Sequence, residues 1–273
     1  MDKTKIETFD STWSPVTGCL HGCEYCYARN IAKRFGGWTD SDGDAYHDTF
    51  FKDDSAIHVL DKPLQIMRGE QEGKWEKAPY PYDFQPTFHR YRLNDYIGKK
   101  DRNIFVCSMA DLFGEWVPDS WIEEVFKACE KATQHNYLFL TKNPERYVDL
   151  AYSETGLPIR ENMWYGSSVT DSRMPFYWGE GVNTFLSIEP ILEPFGEMGN
   201  IIQESLPKWI IVGAETGRRK NKVVPERKWI EDIARECEKT SVPLFMKSSL
   251  ADIWGKPLIQ EFPEELRRKN GVE

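Results

Sequence analysis

Six short apolar runs, separated by amphipathic or turn-rich stretches, constrain this chain's fold more than any other feature. They read NIFVCSM (103–109), NYLFLT (136–141), NMWYGSSV (162–169), NTFLSIE (183–189), KWIIVGA (208–214) and VPLFMK (242–247). Runs of this length, rich in β-branched and aromatic residues, read as strands buried on both faces, and such strands belong to parallel sheets covered by helices. One helix is expected from Pro118–Asp119 to about Ala132 and another from Pro225–Glu226 to about Lys239, each with proline near its first turn. Ile122, Val125, Phe126 and Cys129 repeat at helical spacing, as do Ile230, Ile233, Ala234 and Cys237. With right-handed crossovers and one strand before Cys19, the count is six or seven, too few to close an eight-stranded barrel. The expected fold is α/β: a partial, open (β/α)6-type barrel within a single domain, 1–273.

The barrel elements fall between about 100 and 250, with a C-terminal tail at 251–273. From about 36 to 88 the chain is polar, aromatic and turn-rich, with no sustained period. That stretch reads as an irregular insertion carrying a short helix near Lys62–Met67, placed to act as a lid or substrate wall.

No run of about 18 apolar residues exists to span a membrane. The opening MDKTKIETFD lacks an apolar secretory core, so a cytoplasmic location is expected. The formal charge of −9, from 44 acidic and 35 basic residues, weighs against a broad cationic surface for nucleic acid, though not against a local basic groove. Oligomeric state is not legible.

The chain has six cysteines, and their placement is informative. Cys107, Cys129 and Cys237 sit in an apolar run or on core-facing helix stripes and read as small buried side chains. Cys19, Cys23 and Cys26 lie in the loop 13–30 as C-x3-C-x2-C, within GCLHGCEYCYA. Tight spacing lets one loop present three thiolates to an iron–sulfur cluster. A zinc site would need a fourth ligand, for which His21 is poorly placed and Cys107 or His89 are distant candidates. A redox dithiol would use Cys23 and Cys26 and leave Cys19 idle.

Polar residues gather just after the strand runs: Ser108 and Asp111, Lys142 and Asn143, Ser167 and Ser168, Glu189, Glu215, Lys247. Carboxyl ends of parallel strands face the ligand, so these residues are expected on one rim.

The cysteine motif, with Tyr25 just before its third cysteine, resembles the radical S-adenosylmethionine (SAM) superfamily. TWSPVTGC, CSMADLFGEWVP, FLTKNPERY, NMWYGSSV, FLSIEPIL and WIIVGAETG, in that order, resemble a phage-associated family labelled as a domain of unknown function. The resemblance implies a radical SAM barrel with a 4Fe–4S cluster on Cys19, Cys23 and Cys26 that leaves one iron open for SAM. It implies adenine near the Tyr25 backbone and the methionine moiety near Ser108, Met109 and Asp111, where a Gly-Gly-Glu-like turn is replaced by Ser-Met-Ala-Asp. It places ribose or carboxylate near Ser167 and Ser168, and it requires an external one-electron donor such as flavodoxin or ferredoxin. An activity associated with such proteins is queuine lyase, which releases the 7-deazaguanine base preQ1. For that substrate Glu189 and Glu215 are candidates to accept N1–H and the 2-amino group. Lys142, Lys247 and Asp111 are the catalytic candidates; either lysine could move a proton or bind the SAM carboxylate. Trp164, Phe84 or Phe88 could stack on the base. Radical modification or repair of a nucleic-acid base is the second reading, and a non-catalytic zinc-binding interaction module the third.

Overall fold

A computed structural model describes residues 4, 6–46, 57–67, 74–196, 207–217 and 219–267. Its centre is a curled, seven-stranded, all-parallel sheet whose strands follow one another in chain order. They are β1 (Ser11–Trp13), β2 (Asn103–Val106), β3 (Asn136–Thr141), β4 (Met163–Ser168), β5 (Asn183–Ile188), β6 (Trp209–Val212) and β7 (Leu244–Met246). Sequential order with helical crossovers is the winding of a (β/α) barrel, here a half-barrel, as the apolar runs indicated. The helices are α1 (Tyr27–Arg34), α2 (Asp119–Glu130), α3 (Glu145–Ala151), α4 (Arg227–Thr240) and α5 (Ala251–Trp254).

Period-2 alternation divides each strand between two cores. Leu138, Trp164, Phe185, Trp209, Ile211 and Phe245 form a buried cluster on one face. Their neighbours pack on the other face: Tyr137, Phe139 and Tyr165 with α2, and Ile210, Val212 and Met246 with α4. Gly166 is needed in β4, because a Cβ there would stand 2.3 Å from the Phe185 ring. The chain after α5 plugs the sheet's lower end, where Trp209 Nε1 donates to Glu261 O (2.9 Å) and Asn103 Nδ2 to Leu266 O (2.8 Å). It also pairs along the free edge of β7, with Met246 N donating to Ile259 O and Glu261 N to Leu244 O.

Several expectations are corrected. The stretch 62–67 is not helical: Gln65–Met67 is a strand paired antiparallel with Trp75–Lys77, alternating exposed, buried, exposed. Among its described residues the insertion forms small pairings, including strands Thr87–His89 and His58–Leu60 in a sheet with Val16–Thr17. Phe88 lies inside that sheet, fully buried and stacked on Trp121, and cannot meet a ligand. Cys107 falls just beyond β2, in a left-handed turn at φ +58°, and is buried like Cys129 and Cys237. No helix among the described residues is long and apolar enough to cross a membrane.

Candidate active site

The three clustered cysteines are placed by a short, sterically fixed approach. β1 leads into Gly18, whose N–H donates to Met109 O (2.9 Å) while Cys19 N donates to Phe84 O (3.1 Å). Gly18 adopts φ +86°, and any Cβ there would lie 2.1 Å from Gln85 O, so only glycine lets the loop pass. The loop ends where Cys26 caps α1, its Sγ accepting from Arg29 N at 3.4 Å.

Cys19, Cys23 and Cys26 are each partly exposed and line one cavity of about 260 Å³ at the carboxyl ends of the sheet strands. Phe84, Phe105 and Leu140 give it apolar walls; Ser108, Asp111, Lys142, Ser168, Ser187, Glu189, Glu215 and Lys247 give it polar ones. No three described His, Cys, Asp or Glu side chains are grouped tightly enough to hold a single metal ion, and neither Cys107 nor His89 lines this cavity. A 4Fe–4S cluster makes a different demand, since each thiolate binds its own iron; three cysteines on one wall suit that donor set. Burial pushes the Cys19 thiol up to about 12, helped by Asp111 and the other two cysteines. A thiolate there therefore needs a cationic partner such as iron.

Asp111 organises one side of the site. It is buried, and its Oδ2 accepts from His21 Nε2 (2.7 Å), Thr141 Oγ1 (2.9 Å) and Lys142 N (2.9 Å), while Oδ1 accepts from Phe113 N (3.0 Å). With both oxygens occupied, Asp111 is a tether between β2, β3 and the cysteine loop rather than a free acid. Lys142 Nζ donates to Ser168 Oγ (2.8 Å) and lies 5.4 Å from the Tyr25 ring centre.

The other two acids are also matched by bases. Glu189 Oε2 pairs with Lys247 Nζ at 2.8 Å. Glu215, with its side chain only 2% exposed, receives Arg219 through both oxygens at 2.7 Å, and Arg219 Nη1 continues to Glu24 Oε2 at 3.0 Å. Hydrogen bonds from Arg219 hold the Glu215 carboxyl below its ordinary range. Among the described cavity residues, Lys142 is the cation with no carboxylate partner.

The remaining expected residues separate. Trp164 is fully buried inside the half-barrel and does not line the cavity. Ser167 points to the other face, where its Oγ accepts from Tyr177 N (2.8 Å). Met109 packs beneath Cys19 and Cys26, beside the cavity. Ser187, Thr141, His21 and Arg219 were not foreseen as site residues. Ser187 was within reach, because it lies two residues beyond inward-facing Phe185; Thr141 and His21 depend on distant Asp111, and Arg219 on distant Glu24 as well as nearby Glu215.

A family model described as "Protein of unknown function (DUF5131)" matches residues 3–269. No curated protein matches the chain. Two solved structures resemble it. Spore photoproduct lyase complexed with dinucleoside spore photoproduct is 10% identical, with 90% of this chain and 78% of that one covered and a TM-score of 0.47. A mutant of spore photoproduct lyase, with bound AdoMet and dinucleoside spore photoproduct, has the same identity and coverage and a TM-score of 0.51. At that identity the likeness is one of fold.

Proposed function

The chain belongs to the DUF5131 family, and within that family we propose that it is a radical SAM enzyme of the lyase or repair kind. One observation carries the reading: Cys19, Cys23 and Cys26 open onto a polar cavity at the carboxyl rim of a parallel half-barrel. A structure of similar fold that holds AdoMet supports the choice of cofactor.

In this reading the three thiolates would hold a 4Fe–4S cluster, and the same cavity would take SAM. When reduced by an external donor such as flavodoxin or ferredoxin, the pair supplies a 5′-deoxyadenosyl radical able to take hydrogen from carbon. The chain's own residues bind, orient and shield. Lys142, braced by Ser168, offers an ammonium to a carboxylate, and Ser108 lines the same cavity. Asp111 fixes the cysteine loop through His21. Phe84, Phe105 and Leu140 keep water from the reacting carbon. Glu189 and Lys247, paired at 2.8 Å, are the acid and base open to a substrate, and Lys247 is the group to move a proton during bond cleavage.

The mixed polar and apolar walls of the cavity suit a base-sized group, with Phe84 as a stacking face. Free queuine is the narrower form of the reading, but Glu215 is already bound by Arg219, which leaves Glu189, among the described cavity residues, as its carboxylate acceptor. A base presented by nucleic acid makes the same demand on the cavity.

The test is anaerobic reconstitution with iron and sulfide, followed by reduction with SAM. The expected result is a brown protein with about four irons per chain that forms 5′-deoxyadenosine. A colourless protein with stoichiometric zinc would establish the interaction-module alternative instead. Adding queuine and looking for preQ1 decides the narrower form; no preQ1 removes it and leaves the class standing.

A further inference from the structure

The chain as a whole is acidic, yet one segment is strongly basic. Residues 217–228 read GRRKNKVVPERK, with six Lys or Arg and a single acid, Glu226. Its described residues, Gly217 and 219–228, follow on Ala214, Glu215 and Thr216, which line the cavity, so the segment starts at the cavity's lip. Arg219 anchors it there through Glu215 and through Glu24 in the cysteine loop. At its far end Arg227 and Lys228 are neutralised by Glu231 and Asp232. Lys220 and Lys222 are exposed and have no ion-pair partner among the described residues.

The opposite flank has the same sign. α1, capped by Cys26, carries Arg29, Lys33 and Arg34 with no acid, and none of the three is ion-paired among the described residues. Arg29 lies over Phe84, 5.2 Å from the ring centre, and Phe84 is a cavity wall. The 3.0 Å contact of Arg219 with Glu24 brings the lip to within two residues of Cys26, so the two basic flanks meet at the mouth. A free neutral base has no use for such charges. A phosphodiester strand does, because its charge is spread along a line while one base turns into the pocket.

We propose that the lip at Lys220 and Lys222, together with Arg29 of α1, is a docking surface for a nucleic-acid strand that presents one base to the cavity. This rests on the radical SAM reading for what is done to the base, but not for the binding itself.

The test is fluorescence anisotropy of reconstituted protein with labelled single-stranded DNA and RNA oligonucleotides between 50 and 200 mM salt, as orders of magnitude suited to phosphate binding. The comparison is Lys220→Gln/Lys222→Gln, with iron content measured to confirm an intact cluster. Loss of two phosphate contacts should lower the slope of log K against log salt by about 1.4 and weaken binding at the lowest salt several-fold. Whether DNA or RNA binds more tightly names the strand. Absence of binding by the wild type, or an unchanged slope in the variant, overturns the proposal. Slower reduction of the variant by flavodoxin with unchanged oligonucleotide binding also overturns it, assigning the lip to the electron donor. Salt-dependent binding in a protein that forms no 5′-deoxyadenosine would uphold the lip and sink the radical reading.

Discussion

Gly18 is the position where a single methyl group should reveal whether the cysteine loop is built as described. In Gly18→Ala two costs add. The backbone sits at φ +86°, a left-handed conformation that costs an L-residue about 1–2 kcal/mol. The new carbon would also stand 2.1 Å from Gln85 O and 2.4 Å from Gln85 C, both backbone atoms that cannot rotate away. Overpacking of this kind costs roughly 1–3 kcal/mol. The expected loss is therefore about 2–5 kcal/mol. Gly22→Ala is the internal control: its φ is +71°, but a Cβ there meets nothing within 4 Å, so only the conformational cost of about 1–2 kcal/mol applies. Urea unfolding of the two metal-free variants measures the difference without involving iron. Gly18→Ala should be the less stable of the two and should take up less iron per chain on reconstitution. Equal stability within about 0.5 kcal/mol would refute the steric argument and, with it, the described path of the loop into Cys19.

Three other predictions follow from individual contacts. Cys23→Ala should abolish cluster loading, whereas Cys129→Ala, at a fully buried site on α2, should cost about 1 kcal/mol of stability and leave iron content unchanged. Asp111→Asn replaces an acceptor with a donor facing His21, Thr141 and the Lys142 amide, or turns it toward Phe113 N; denaturant titration should show a loss of about 1–3 kcal/mol. Glu215 is held below its ordinary range chiefly by Arg219, so the folded protein binds fewer protons there than the unfolded chain. Its contribution is therefore complete above the ordinary carboxylate pKa and fades as pH falls through the lower folded value. Stability of the wild type measured downward from pH 7 should show this acid-side loss, and Glu215→Gln should lack it.

Much of the fold was legible because strand burial is a local property. Runs of four to six residues such as WIIV and NTFLSI have no wholly polar face, which dictates a sheet covered on both sides, and sequential order follows from the crossover rule. The insertion was not legible, because its strands are two or three residues long and take their conformation from pairing rather than from sequence. In the site, the cysteine triplet was visible because its members are close in sequence. Trp164 was misplaced because apolar content locates a strand without saying how far along it the core ends and the cavity begins: it shares its face with Ser168 but lies below the cavity.

The sequence alone determined a parallel α/β sheet, its open count of strands, and three thiols presented by one loop. Only the tertiary structure decided how the charges at the rim are arranged. Asp111 meets His21 across 90 residues, and Arg219 meets Glu24 across 195. Those pairings are consequences of how far the sheet curls, which depends on packing summed over every strand, and no local pattern encodes it. The curl paired Glu189 with Lys247, carried the local Glu215–Arg219 pair to the cysteine loop through Glu24, and left Lys142, among the described cavity residues, as the cation available to an anion.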